Sequence, residues 1–408
     1  MKLKTLSQID LKGKTILYRS PYDIEVEEKG GVLQVADDMR IRATIPTLEF
    51  LLKEDCKVVI LTYVGRPDGK VVENLRTGPH AKRLSELLNH PVEKVDDCIG
   101  SMVEEKVLNM KPKDILMLEN VRFHAEEMRD DDEFAKKLCA GKDLIVFDGF
   151  PQAHRKHSST TGIERHLPSV AGLYLEKEVN ALSGLLANPK RPLTVIIGGA
   201  KISDKVDAVS NLLKVADNLL VGGALANIFF KAQGKRMGSS FIEDVFVDQA
   251  KHNKENSVEI AKEIFKKAES LNKRIVIPRD LTITDGKSIS VADMKREEIP
   301  NDWMAMDIGP RTEKDFSFII DQSQTVFLAG PVGKFEDDKF AKGSRVILKT
   351  MRNATCDTII AGGDTIDCAR RYGGLEGFTH VSLAGGATLE FLAGKELPAL
   401  VPLIVEQK

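Results

Sequence analysis

The sequence predicts an α/β protein of two Rossmann-like domains whose parallel sheets face a central cleft and are joined by a long helix. Three observations carry that reading. Short β-rich runs alternate with amphipathic helical segments almost throughout, the pattern of parallel sheets covered on both faces. At 408 residues the chain exceeds one typical domain, and a hydrophobic content of 42% is enough for two cores. The apolar runs also end differently in the two halves. In the first half they stop at or just before arginine: Thr15–Tyr18 leads to Arg19, Val58–Leu61 to Arg66, Asp114–Leu118 to Arg122, and Leu144–Phe147 to His154 and Arg155. In the second half they stop at glycine: Val195–Ile197 before Gly198 and Gly199, Leu219–Val221 before Gly222 and Gly223, Thr325–Leu328 before Gly330. Thr358–Ile360 before Gly362 and Gly363, and Val381–Leu383 before Gly385 and Gly386, repeat it. Open α/β sheets bind ligands outside the carboxyl ends of their strands. An arginine rim suits a small polyanion, and a glycine rim suits a nucleotide lying against bare backbone.

The segments between these runs read as helices. Ile41–Leu52 is one, and Glu133–Cys139 is a shorter one whose Phe134/Leu138 and Ala135/Cys139 pairs share a face. Ala171–Leu182 begins a longer helix that ends around Asn188, where Pro189 and Pro192 forbid continuation. The expected domains are residues 1–170, a connecting helix 171–188, residues 189–392, and a segment 393–408 that returns to the first domain. The acidic run Glu126–Glu133 reads as a solvated loop and helix start. Lys+Arg of 59 against Asp+Glu of 61 leaves a formal charge of -2, which argues against a nucleic-acid binder. No apolar stretch reaches the roughly 18–20 residues of a membrane helix, and Met1–Thr5 lacks a signal-peptide core, so the expected location is cytoplasmic. Five scattered cysteines (56, 98, 139, 356, 368) without a CxxC pair fit reduced thiols better than disulfides or a zinc site, with Cys139 and Cys368 in the core.

Three motifs carry chemistry. Gly198–Lys205 follows a β-branched run and opens a helical pattern, so its amides and helix dipole suit phosphate, and Lys201 and Lys205, four apart, share a helical face. A plain strand-to-helix turn reads the same way, and no Walker A loop or protein-kinase signature is present. Gly362, Gly363, Asp364 and Thr365 repeat the arrangement; Asp364 either binds Mg²⁺ or caps a helix. Gly330–Glu336 adds a rigid turn with a carboxylate suited to a ribose hydroxyl. Opposite stand Arg40, Arg66, Arg122 and Arg155, whose guanidinium forks match phosphate and carboxylate oxygens. His154 and His157 flank Arg155, either as ligand contacts or as hydrogen-bonded loop histidines.

Together these segments resemble phosphoglycerate kinase over nearly the whole chain. The matching stretches include Asp10–Lys14, Asp37–Arg42, Gly65–Pro67, Glu119–Phe123, Asp148–Phe150, Ala153–Arg155 and Gly198–Lys205. Asp307–Pro310, Gly330–Glu336, Gly362–Thr365 and Gly385–Leu392 complete the series. The resemblance implies reversible, magnesium-dependent phosphoryl transfer in glycolysis between 1,3-bisphosphoglycerate and ADP, giving 3-phosphoglycerate and ATP, by a hinge-bending monomer without nucleic-acid or membrane partners. It implies that Asp23, Arg40, Tyr63, Arg66, Arg122 and Arg155 hold the phosphoglycerate. Gly199, Lys201, Lys205, Gly222, Gly223, Gly330, Pro331, Glu336, Gly363, Asp364 and Thr365 would hold the nucleotide, with Asp364 on the metal. Arg40, Lys201, Gly362 and Gly385 would be catalytic, with Lys201 on the transferring phosphoryl group.

Several positions depart from the family pattern. The usual Arg-Val-Asp-Phe-Asn-Val-Pro cradle reads Arg19–Glu25; counting from Arg19 puts Pro21 at the aspartate and Asp23 at the asparagine, whereas a two-residue insertion aligns Asp23 with the aspartate. Tyr63 replaces a histidine, Ala329 an asparagine, and Ala361 and Ala384 the first glycines of two triplets. Asp23, an acceptor-only carboxylate, is expected to accept the glycerate hydroxyl while paired with a nearby arginine. Two rival readings follow: a non-catalytic nucleotide-binding relative, or a kinase for a different carboxylate.

Overall fold

Two six-stranded parallel sheets organise the computed structural model, which describes residues 1–248 and 253–405. The chain divides into two units, Met1–Ala181 together with the segment from Glu396 onward, and Leu182–Lys395. In the first unit the strands lie in the order Glu93–Lys94, Ile115–Met117, Lys57–Leu61, Thr15–Arg19, Leu144–Phe147, Ser169–Ala171, all neighbours parallel. The order reverses between Thr15–Arg19 and Leu144–Phe147. That is the switch point where an open sheet offers a crevice. Both strands are buried along their whole length, as parallel strands covered on two faces must be.

The second unit has the order Arg274–Val276, Asn218–Val221, Leu193–Ile197, Thr325–Ala329, Asp357–Ala361, His380–Ser382, again all parallel. Its switch point lies between Leu193–Ile197 and Thr325–Ala329. Gly198 and Gly330 therefore leave adjacent strand ends.

The helices follow from local sequence. Met39–Lys53 buries Ile41, Thr44, Leu48 and Leu51, a stripe spaced by three and four residues. Asp132–Cys139 is capped by the Asp131 side chain, which accepts from the Phe134 N–H at 2.8 Å. The helix expected from Ala171 starts later, at Leu173, and runs to Ala187; the division between the units falls within it. Ser169–Ala171 is instead an edge strand beside Leu144–Phe147. Asp148 decides the boundary: its buried carboxylate accepts from the Leu175 N–H at 2.8 Å and also from Tyr18 and Thr47.

Two expectations are corrected. The acidic run is not all solvated: Glu127 is fully buried and accepts from the N–H and hydroxyl of Ser159 at 2.8 and 2.6 Å. Strand–helix alternation also missed antiparallel pieces, the hairpin Val26–Lys29/Val32–Val35 and a three-stranded sheet of Asp280–Thr284, Ile289–Asp293 and Met304–Ile308. Cys139 and Cys368 are buried free thiols, as are Cys56 and Cys98. The terminal segment lies along the first unit, with Lys4 N–H donating to Leu403 at 2.7 Å and Ala399 N–H to Ala153 at 3.1 Å. Among the described residues no helix is long and apolar enough to cross a membrane.

Candidate active site

The first unit gathers its arginines around one loop. Gly65 has φ +63 and is the pin of the arrangement. Its N–H donates to Asp23 Oδ1 at 2.9 Å, and its carbonyl accepts from Arg122 Nη1 at 2.6 Å. Asn120 fixes the same loop, donating to Val64 and Leu75 and accepting from the Arg122 N–H at 3.1 Å. Arg40 donates to the backbone carbonyl of Asp23 at 2.6 Å, so the expected pairing of the Asp23 carboxylate with an arginine is replaced by the Gly65 amide. Arg66, next to this pin, is exposed.

Two guanidiniums lie over the Tyr63 ring, that of Arg122 at 3.5 Å and that of Arg19 at 5.4 Å. Stacking of this kind fixes the plane of a guanidinium. Arg19 was passed over as a ligand candidate in the sequence, yet it is fully buried at the sheet's switch point and donates through Nε to Ser159. Three buried guanidinium nitrogens lack a partner among the described residues: Arg19 Nη2, Arg122 Nε and Arg155 Nε. A buried donor left unpaired costs free energy unless a ligand or water satisfies it. Glu127 feels two of these arginines: burial pushes its carboxyl up, while hydrogen bonds from Ser159 and the charges of Arg19 and Arg122 pull the other way.

The positive field is visible in the imidazoles. Burial, then Arg122, Arg155 and Arg19, push His157 down to about 4, and burial and Arg155 push His154 down to about 4. Both are neutral at physiological pH, so the 3.7 Å approach of His157 to Glu127 is not an ion pair there. This constellation can hold a multiply charged anion without supplying a proton.

In the second unit the site is made of backbone. Gly330 has φ +94, and a Cβ there would stand 2.3 Å from the Gly198 carbonyl oxygen, so only glycine lets the two switch-point loops touch. Gly222 and Gly223 also pack closely, against Val332 and against Gly199 and Pro331. Gly363, by contrast, has ordinary φ, and a Cβ on it would meet nothing within 4 Å. Gly362 and Gly385 have positive φ and lie in the wall of the same cavity. Thr365 is committed to the frame: its hydroxyl accepts from the Gly330 N–H at 2.7 Å.

Two cavities meet at Asp364. One, of about 500 Å³, is bounded by Lys205, Gly330, Gly362, Gly363, Asp364 and Gly385. The other, of about 480 Å³, is lined by Gly199, Gly223, Pro331, Phe241, Met304 and Glu336. Each is the size of a small-molecule site. Sequence reasoning missed Phe241 and Met304, which come from an irregular segment and from the small antiparallel sheet and carry no local signature. The expectation that Lys201 and Lys205 share a helical face is corrected: the helix begins at Val206, and both lysines stand in the turn before it. Glu243 holds that turn, accepting from the amides of Ile202 and Ser203 at 2.9 and 3.0 Å. Lys201 is exposed, while burial lowers Lys205, which feels Asp204 and Asp364 in turn. Asp364 is exposed, makes no ion pair among the described residues, and offers an oxygen donor of the kind magnesium prefers.

Comparison with known proteins agrees with this geometry. The family model described as phosphoglycerate kinase matches residues 6–395. The chain is 41% identical over 407 residues to a phosphoglycerate kinase of Gloeothece citriformis, covering 98% of each chain. It is 38% identical to one of Pelotomaculum thermopropionicum, covering 99% of this chain and 100% of the relative. The phosphoglycerate kinase structure of Coxiella burnetii superposes with a TM-score of 0.85 at 32% identity, over 98% of this chain and 99% of that one. The match spans both sheets and both groups of site residues, and the chain belongs to the phosphoglycerate kinase family.

Proposed function

We propose that this kinase transfers a phosphoryl group reversibly between 1,3-bisphosphoglycerate and ADP, with the acid held in the first unit and the nucleotide in the second. The observation that supports it most is the set of three buried guanidinium nitrogens in the first unit without partners among the described residues. Asp23, Arg40, Tyr63, Arg66, Arg122 and Arg155 serve the phosphoglycerate, and Arg19 joins them. Gly199, Gly222, Gly223, Pro331 and Glu336 shape the base and ribose pocket, with Gly330 and Thr365 as its frame. Lys205, Gly363 and Asp364 meet the phosphates. Gly362, Gly385 and Arg40 complete the reacting centre, and Lys201 stabilises the group in transit.

The acceptor oxygen is a carboxylate, already ionised near neutral pH, so no general base is required. The neutral imidazoles of His154 and His157 fit that economy. Asp364 fits a magnesium ion, which when bound neutralises charge on the nucleotide phosphates. In-line transfer requires the two ligands to meet with water excluded, so ligand-driven closure of the two units is part of the proposal. It acts as a cytoplasmic monomer.

A steady-state assay with MgATP and 3-phosphoglycerate tests the reading. Turnover with 3-phosphoglycerate but not with acetate or glycerate supports it. Turnover faster with another carboxylate, or none with any, defeats it. Small-angle scattering should show compaction with both ligands beyond that with either; identical curves would remove closure from the mechanism.

A further inference from the structure

We propose that Asp97, Cys98 and His124 form a binding site for a thiophilic divalent cation of the zinc or cobalt type, separate from the kinase centre and independent of the reading above. Asp97 and Cys98 lie in the loop between the strand Glu93–Lys94 and the helix Ser101–Leu108, and His124 follows the 3₁₀ turn Val121–Phe123. These segments are far apart in sequence but tied together, because the Glu119 N–H donates to the Asp97 carbonyl at 3.3 Å. His124 Nε2 stands 2.7 Å from Asp97 Oδ1, which also accepts from the Cys98 N–H at 2.6 Å. One donor atom from each of the three side chains lies within 4.8 Å of the others, the one such group found among the described residues. The thiol forms the floor, with Cys98 only 1% exposed, while His124 is half-buried and Asp97 is exposed at the rim. The His124 ring packs on Phe134, with centroids 5.1 Å apart, which restrains its plane.

An imidazole nitrogen, a thiolate sulfur and a carboxylate oxygen make a donor set for zinc or cobalt, and a poor one for magnesium. Metal bonds of about 2.0–2.3 Å place tetrahedral ligands roughly 3.3–3.7 Å apart. A shift of about an ångström therefore closes three ligands on the ion and leaves a fourth position to water. On binding, the thiol S–H bond is lost, its proton passes to solvent and a sulfur–metal bond forms, while the proton that His124 Nε2 donates to Asp97 exchanges through solvent onto Nδ1 and frees the Nε2 lone pair for the metal. Of the charged groups that act on Cys98 from neighbouring elements, Glu127 favours a cation and Lys142 opposes it. His124 stands two residues beyond Arg122, so an occupied site fixes the loop that carries that arginine.

The test is a titration of the reduced, metal-free full chain with Co²⁺. The expected result is a single equivalent bound with a thiolate-to-cobalt charge-transfer band, displaced by Zn²⁺ and not by excess Mg²⁺. Cys98→Ser should abolish the band. Because that thiol is buried, His124→Gln is the deciding variant: it should keep the wild-type circular dichroism and weaken binding by more than about tenfold. A wild-type chain without the band overturns the proposal, as does an undiminished band in His124→Gln. A band that survives in both of those variants but vanishes in Cys356→Ser assigns the metal elsewhere and likewise overturns it.

Discussion

The acid site proposed in the first unit and the nucleotide site proposed in the second bind anions by opposite means. In the first unit, side chains do it: Arg19 and Arg122 are held by backbone carbonyls and lie over the Tyr63 ring, and Arg19, Arg122 and Arg155 each keep one buried nitrogen without a partner among the described residues. In the second unit, backbone does it: glycines bring the strand-end loops together, and the charged groups Lys201 and Asp364 are exposed. A side-chain site concentrates fixed charge and tolerates little variation in geometry. A backbone site presents a surface to which phosphate and ribose conform, with charge added only where the reacting group passes. The difference matches the two proposed ligands, a small acid with charge on many sides and a longer nucleotide.

Several substitutions should break or sharpen this contrast. The largest effect is expected from Lys201→Ala, whose exposed amine is proposed to act in the transition state rather than in ground-state binding. It should lower kcat by about 10²–10³ while leaving the affinity for ADP nearly unchanged. An unchanged kcat would remove Lys201 from the chemistry.

Asp23→Ala removes the acceptor of the Gly65 amide, and with it one end of the pin that orients Arg122. The KM for 3-phosphoglycerate should rise by the equivalent of about 1.5–3 kcal/mol, with that for ATP untouched. Equal rises in both constants would show that the two halves are not separable in this way.

The glycines divide into framing and facing positions, and paired variants separate them. Gly330→Ala forces a Cβ against the Gly198 carbonyl at positive φ and should cost at least about 1–3 kcal/mol of stability, read as a lowered Tm. Gly363→Ala meets nothing within 4 Å, so its Tm should hold while nucleotide affinity falls. If Gly363→Ala binds nucleotide normally, that glycine faces solvent and not ligand.

The smallest effect concerns pH. His157 titrates at about 4 in the folded chain against 6.5 as its ordinary value, so the unfolded chain binds its proton first as pH falls. Its contribution is complete above 6.5 and is lost progressively as pH drops towards 4, which destabilises the folded state in that window. His157→Gln should flatten the fall of Tm across it. A bound phosphoglycerate anion should do the same in the wild type by offsetting the arginine field. A slope unaltered by either would place the acid sensitivity in other groups.

Much of this was legible in the sequence. Strand positions followed from β-branched runs, because a parallel strand covered on both faces has to be apolar along its length. The two rims followed because ligands meet open sheets at their strand ends. Arg122 and Arg155 could be chosen for that reason alone. What only the tertiary structure decided is how those residues are held. Gly65 joins Asp23 to Arg122 across 42 and 57 residues, and Arg19 becomes a buried donor only once Ser159 lies beside it. Glu127 looked like part of a solvated acidic run, and is buried because distant arginines and Ser159 surround it. The turn at Lys201–Lys205 is held by Glu243, some 40 residues away, which takes the amides of Ile202 and Ser203. Local composition determines which segments form strands and helices, since each pattern depends on residues within a few positions. Which buried charge finds its partner depends on contacts between segments that only the folded chain brings together.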